Sequence, residues 1–580
     1  MRPLPFVVAV LVACSGGGGS GPDPSGPAAG GRGPGRDAAP EAARPVTIAV
    51  VGTSDLHGHI EMLPILAGYL ANLRAAKGID EVLLLDGGDM FQGTLESNLN
   101  EGQSVVEAYN RLGYAAAAIG NHEFDFGPAG DKVTPREPGD DPRGALKARA
   151  AAAKFPFLAA NLRDEATGDR AAWPNVRPSV LVERAGVKIG VIGVTTEATP
   201  RATTPRNFEG LSIMPLTRSI AAEAAALRAR GAQVVALAAH AGGRCTAFAD
   251  ARDLASCDPE QEIFQVAREL PPGAVDVIVG GHTHAAVAHE VAGIPIVQSH
   301  WKGIAFGRVD ITLDEERRVV ERRIHEPRYL CEKRESDADP CVAGEYEGAP
   351  VVPDAELGKL VARYEEEARE VRHRKIGVTL EGKVARGYDH ESPLGNLIAD
   401  LMLAARPKGD VAITNGGGIR AELPGGELTY GSLYEALPFD NKFAVVELTG
   451  AQLRTVLAAN LARDNGILSI AGVRVAARCE GKELDITLTR SAGKRKGKRV
   501  GDKERVAVVT SDFVASGGDG ILAVVDVPAT AIQIDQDGET IRDLIAGVLT
   551  ARGGRLQPGT LHDPKAPRVA YPGERPVACH

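Results

Sequence analysis

The sequence predicts an α/β protein of two domains, on three observations. From residue 46 short apolar runs alternate with helical stretches: VTIAVVG, EVLLLDGG, AAAAIG, VKIGVIGV, QVVALAAH, VDVIVGG and IPIVQS. Runs of Val, Ile, Leu and Ala without polar alternation are strands covered on both faces, as in a sheet flanked by helices. A charged stretch, DAELGKLVARYEEEAREVRHRK at 354–375, then interrupts the pattern, and its blocks of acidic and basic residues mark a solvated connecting helix. The length of 580 residues is too great for one core.

The N-terminus, MRPLPFVVAVLVAC, is one positive charge followed by an apolar run too short to span a bilayer, which reads as an export signal over 1–13. Its end, LVAC, resembles a bacterial lipobox, and cleavage there leaves Cys14 to carry a lipid and anchor the chain to a membrane of the cell envelope. The segment 14–45 is rich in Gly, Pro and Ser, cannot bury a core, and is expected as a disordered tether. Of the seven cysteines, Cys14 apart, six remain. Cys245 and Cys257 flank one short polar loop and Cys331 and Cys341 another, which leaves Cys479 and Cys579 to each other; six free thiols are the alternative.

With 44% hydrophobic and 24% charged residues the composition is that of a globular protein. A net charge of -10 argues against a nucleic-acid polymer as partner. The run KRKGKR at 494–499 lies between two strand-like segments and reads as a solvated hairpin loop. Nothing in the sequence implies a protein partner.

Chemistry collects at the strand ends. Asp55 and His57 follow the first run, Asp89 the second, Asn121 and His122 the third; His240 ends QVVALAAH, and His282 and His284 follow VDVIVGG. Carboxyl ends of strands are where ligand crevices form in open α/β sheets. Each residue alone has an ordinary explanation as a turn or rim residue. Together, His, Asp and Asn form a mixed N/O donor set suited to Zn or Mn, and seven donors fit two divalent ions that share a bridging carboxylate.

The blocks DLHGH, GGDMFQG, GNHEFDFG, AAHAGG and GGHTH resemble the signatures of the calcineurin-like metallophosphoesterases, and the chain from about 46 to 550 is similar to the secreted 5′-nucleotidases. The resemblance implies an αββα metallophosphoesterase sandwich over 46–330. It implies one metal on Asp55, His57 and His284, the other on Asn121, His240 and His282, and Asp89 bridging them. Such a pair polarises phosphoryl oxygens and acidifies a water. His122, beside Asn121, would supply charge or protonate the leaving group, and Asp125, three residues on, would orient it. Glu123 is left a structural role. His284 departs from relatives that carry Gln or Asn there.

After a linker at 331–375, the segments ESPLGNLIADLML, DVAITNGGGIRAEL, LYEALPFDNKFAVVEL and VVTSDFVASGGDGIL resemble the nucleotide-binding C-terminal domain of that family, placed here at 376–555 with a tail at 556–580. The resemblance gives Asn415 and Arg420 the substrate's polar edges and phosphate, Phe439 and Phe513 its base, and Asp519 its ribose, with Asn441 in the same site. The composition agrees, because aromatics are only 4% of the chain and a Phe in a Gly/Asp-rich loop is poorly placed for a core. Where relatives carry Arg before the Glu of the E-x-x-x-G-N block, this chain has His390, so Arg386 or His390 is the substitute. The implied function is that of an exported, lipid-anchored 5′-nucleotidase acting on nucleotides. A 2′,3′-cyclic nucleotide phosphodiesterase, a UDP-sugar hydrolase and, more distantly, a thiosulfohydrolase are alternatives within the enzymes, and a non-catalytic nucleotide-binding lipoprotein is the alternative outside them.

Overall fold

Side chains alternate along a strand, so a run that is apolar throughout has two faces to cover. Strand β1 (Val46–Thr53) packs Ile48 and Val50 against a second sheet, and Ala49 and Val51 under helices. Its parallel neighbours are β2 (Glu81–Asp86) and then β3 (Ala116–Ala118). In the second sheet β4 (Val187–Thr195), β5 (Val234–His240), β6 (Val277–Gly280) and β7 (Ile294–Ser299) run parallel. Strand β8 (Ala305–Leu313) returns to the first sheet, antiparallel to β1. Ile189 and Val191 of β4 meet the first sheet, while Ile192 and Val194 lie under the outer helices. Two sheets of seven and six strands thus stack face to face with helices outside, an αββα sandwich. Each buried Val, Leu or Ile contributes about 1.5–3 kcal/mol to holding them together. At Gly52 the sheets come so close that a Cβ would stand 2.5 Å from Val279 Cγ1, which only glycine tolerates.

The computed structural model describes residues 44–130, 132–332 and 341–579. The export signal, Cys14 and nearly all of the tether lie outside the described residues. From Arg44 onward the chain forms one compact unit. Among the described residues no helix is long and apolar enough to cross a membrane. Disulfides join Cys245 to Cys257, Cys331 to Cys341, and Cys479 to Cys579.

Helix α1 (Ala355–His373) is the charged connector. Its N-cap Asp354 accepts the Leu357 N–H at 2.6 Å, satisfying a helix donor that would otherwise be orphaned. Four residues at helical spacing form its apolar stripe, and the stripe is divided: Leu357, Val361 and Tyr364 enter the core of the sandwich, while Ala368 enters the core of the second domain. At the far end Arg372 forks onto Glu96 of the first domain at 2.6 Å and Glu435 of the second at 2.7 Å. One helix therefore belongs to both cores.

The second domain centres on a five-stranded sheet that includes β9 (Val411–Asn415), β10 (Phe443–Thr449) and β12 (Arg505–Ser511). β9 and β12 are parallel neighbours, and β10 is antiparallel to β12. Strand β11 (Glu483–Arg490) pairs with Val473–Glu480 in a smaller sheet. The stretch beyond 556 joins this sheet: Val569–Ala570 pairs with it, and Cys579 is bonded to Cys479.

Candidate metal centre

Parallel strands bring their carboxyl ends to one rim, and the sandwich has two such sheets. Asp55 follows β1, Asp89 follows β2, Asn121 follows β3, His240 ends β5, and His282 and His284 follow β6. The turns that carry them are under strain. Asp55, His57, Asp89, His282 and His284 have φ of 52°, 49°, 58°, 78° and 55°, in the left-handed region that costs a residue with a Cβ about 1–2 kcal/mol.

Surrounding bonds impose this backbone. Asp55 N–H donates to Gly88 O at 2.9 Å, His57 N–H to Asp89 O at 3.1 Å, and His282 N–H to Asp55 Oδ1 at 2.9 Å. The buried Glu123 carboxylate accepts the N–H groups of Gly120, Asp89 and Met90 at 2.7, 2.9 and 2.7 Å, tying the loop after β2 to the loop after β3. Gly120 lets the two loops meet, since a Cβ there would stand 2.2 Å from Asp89 Oδ1.

The imidazoles are oriented from behind. His57 Nδ1–H donates to Gln92 O at 2.8 Å and His240 Nδ1–H to Gly87 O at 2.9 Å; a carbonyl only accepts, so each ring turns Nε2 inward. His57 Nε2 faces His284 Nε2 at 2.9 Å, and His284 Nε2 lies 3.6 Å from Asp55 Oδ1. His240 Nε2 lies 3.1 Å from Asp89 Oδ2 and 3.0 Å from Asn121 Oδ1. Asn121 donates its Nδ2 to Ala202 O at 2.9 Å, which aims the amide oxygen at the centre. Two groups of donors result, Asp55 with His57 and His284, and Asp89 with His240 and His282, each with ligand atoms within 4.8 Å of one another.

The electrostatics fit divalent cations. Burial pushes Asp55 up to about 7, against the pull of His240. Burial would raise Asp89 too, but His240 and His122 hold it well below the usual carboxylate range. Burial lowers His57 and His284 far below an ordinary imidazole and His282 to about 3, so their lone pairs stand free. Burial opposes the proton on His240, yet the Asp89 charge raises it to about 10. Three neutral imidazoles, a fourth at His240 that holds its proton only through the Asp89 charge, two carboxyl groups and an amide oxygen converge, and the residues present suit two hard or borderline ions.

His122 stands at the edge of this cluster. Its Nδ1–H donates to Asp125 Oδ2 at 2.5 Å and its Nε2 is 4.0 Å from Asp89 Oδ2. Burial works against its charge, but Asp89 and Asp125 raise its pKa above the usual value. Asp125 is itself fixed, accepting Thr203 Oγ1–H at 2.8 Å on its other oxygen.

The second domain closes over the rim. A cleft of about 640 Å³ is lined from below by Asp89, Asn121, His122, Asp125, His282 and His284. From above it is lined by Asn415, Arg420, Phe439, Asn441, Phe513 and Asp519. Asp55, His57 and His240 are buried beneath it. Arg420 Nη2 reaches 3.3 Å from His57 Nε2, and Asn415 Nδ2 donates to Asp519 Oδ2 at 2.7 Å. The lid is bonded to the base where Gln92 and Asn98 donate to Pro438 O at 3.0 and 3.2 Å, next to Phe439. Arg386 enters the cleft and donates to Arg420 O at 2.9 Å, whereas His390 is exposed beside Asp389 and does not line it.

Sequence reasoning missed Trp301, Tyr388, Arg244 and Gln261, which line the same cleft. Trp301 carried a usable signal: it is one of two tryptophans and stands two residues beyond the end of IPIVQS. Arg244 directly follows the AAHAGG block, while Tyr388 and Gln261 sit in loops without a motif.

Two family models match the chain: calcineurin-like phosphoesterase over residues 48–286 and the 5′-nucleotidase C-terminal domain over 375–526. Protein UshA of Yersinia enterocolitica is 28% identical over 535 residues, covering 86% of this chain and 90% of its own. Endonuclease YhcR of Bacillus subtilis is 28% identical over 443 residues, and there the match spans 72% of this chain but 33% of the longer relative. The crystal structure of a 5′-nucleotidase precursor from Thermus thermophilus shares the fold, with a TM-score of 0.68 at 24% identity over 88% of this chain and 97% of its own.

Proposed function

Because the chain belongs to the 5′-nucleotidase family of metal-dependent phosphohydrolases, in which a calcineurin-like phosphoesterase domain precedes a 5′-nucleotidase C-terminal domain, we propose that it removes phosphate from nucleoside 5′-monophosphates outside the cytoplasm. One observation carries the reading: the two donor groups, the His122–Asp125 pair, the loop bearing Phe439 and the short helix Asp512–Ala515 bearing Phe513, where the sequence suggests a loop, all open into one cleft.

In this reading Asp55, His57 and His284 hold one ion, Asn121, His240 and His282 the other, and Asp89 stands between them. A divalent pair bound there, Zn or Mn by its donors, supplies Lewis acidity toward a phosphoryl oxygen and toward water. The chain supplies the rest. Arg420, beside His57, offers the phosphate a guanidinium. His122 keeps its Nδ1 proton on Asp125, which leaves Nε2 to hold a proton toward the leaving oxygen. Phe439 and Phe513 offer ring faces to the base, and Asp519, steadied by Asn415, offers a carboxylate to the ribose hydroxyls. A binder without turnover has no use for the His122–Asp125 pair.

Arg244 and Gln261 line the cleft as well, which supports, as a second reading, a nucleotide that carries a further group, as in a UDP-sugar. Export by the segment 1–13 and a lipid on Cys14 complete the proposal; Cys14→Ala is expected to release the protein from membranes. The test of function is metal analysis followed by phosphate release across nucleoside monophosphates, cyclic nucleotides, UDP-sugars and base-free phosphate esters. Fastest release from nucleoside 5′-monophosphates by a protein holding two ions supports the reading; no preference for a nucleotide contradicts it.

A further inference from the structure

The run KRKGKR at 494–499 has no part in this chemistry. It forms the tip of the loop that leaves β11 and leads into β12. The carboxylates around it are already taken: Asp410 by Arg490 at 2.9 Å, Glu504 by Arg490 at 2.8 Å and by Arg495, and Asp502 by Arg454. Lys494, Lys496, Lys498, Arg499 and Lys503 are exposed and make no ion pair among the described residues. They form a dense unneutralised patch on a chain whose net charge is -10.

Topology places this patch away from the cleft. β9 and β12 run parallel, and the cleft residues Asn415, Phe513 and Asp519 lie at or just beyond their carboxyl ends. The cationic loop enters β12 at its amino end, where Asp410 also precedes β9. The seven residues of β12 separate the two by roughly 20 Å.

We propose that the loop 494–503 docks on an anionic phospholipid bilayer and turns the nucleotide cleft away from it. A cluster of four to eight Lys and Arg is the pattern that anionic lipids attract, and mobile headgroups can gather beneath a small tip. Nucleic acid is the poorer fit, because the loop has no aromatic residue on which a base could stack. The docking surface is independent of any lipid on Cys14, and it would set the orientation of the folded chain at the membrane.

The test uses the chain from Arg44 onward, which contains every core cluster described above, floated with phosphatidylcholine vesicles with and without about 30 mol% phosphatidylglycerol. The anionic vesicles are expected to retain it, the neutral ones not, and about 0.5 M salt to release it. Replacing Lys494, Lys496, Lys498 and Arg499 together by Gln should lower retention at least about 10-fold. Turnover of a soluble nucleotide should be the same for both proteins, with or without vesicles. Equal retention of the two proteins, retention of neither, loss of turnover on vesicles, or capture of the wild type by duplex DNA in preference to anionic vesicles overturns the proposal. Retention is read without turnover, so its failure is separate from a failure of the nucleotidase reading.

Discussion

The indole of Trp301 stacks on the imidazole of His284, with ring centroids 4.7 Å apart and planes 16° from parallel. The flanking residues His300 and Lys302 have φ of 62° and 57°, so a strained tripeptide presses the ring into place. Arg420 lies 6.0 Å from the same ring, within cation–π reach. Trp301 thus steadies one donor of the Asp55 group and the guanidinium beside it.

Trp301→Ala is therefore expected to weaken the ion at Asp55, His57 and His284 by about 10-fold or more, as loss of an outer partner does, while Trp301→Phe restores most of the affinity. Titration with Mn²⁺, read as bound metal per chain, decides it. Unchanged affinity would reduce Trp301 to a wall of the cleft.

His122→Ala should leave both ions bound and cut turnover by about 10²–10⁴-fold. Its side chain bonds Asp125, and its Nε2 stands 4.0 Å from Asp89 Oδ2. Loss of metal in this variant would mark His122 as a ligand instead of a proton carrier.

Phe439→Ala with Phe513→Ala should raise KM for a nucleoside monophosphate, each ring contributing about 1–3 kcal/mol of stacking. A base-free ester such as glycerol phosphate has no base to stack on the rings, and its hydrolysis should change much less, through Phe439 beside His122 alone. If both substrates suffer alike, the rings are structural.

Arg386→Ala should raise KM for nucleotides, because Arg386 lines the cleft and braces Arg420. His390→Ala should be nearly silent, since that side chain pairs with Asp389 in solvent. The opposite ranking would move the phosphate contact to His390.

The clustering of the candidate donors was legible because residue type and strand end coincide: Asp55, Asp89, Asn121 and His240 each end or follow a run whose apolar character is plain in sequence. Strand ends converge by topology, so the cluster could be expected before any distance was known. The backbone that aims the donors was not legible, because left-handed φ at Asp55 or Asp89 is imposed by long-range bonds such as Asp55 N–H to Gly88 O and Asp89 N–H to Glu123. The choice of Arg386 over His390 in the cleft depends on how the lid settles, and four residues of sequence separation do not encode it. The shared core of α1 was equally hidden, since Val361 and Ala368 lie on one stripe yet serve different domains.

Metal stoichiometry of Asp89→Asn against wild type decides whether a pair of ions shares Asp89. The carboxylate lies 3.1 Å from His240 Nε2, and its backbone is bonded to His57 on the other side. The wild type is expected to hold two ions per chain, and the variant to lose affinity for both and to lose turnover. A variant that still binds two ions as tightly as wild type and releases phosphate at the same rate would contradict the account.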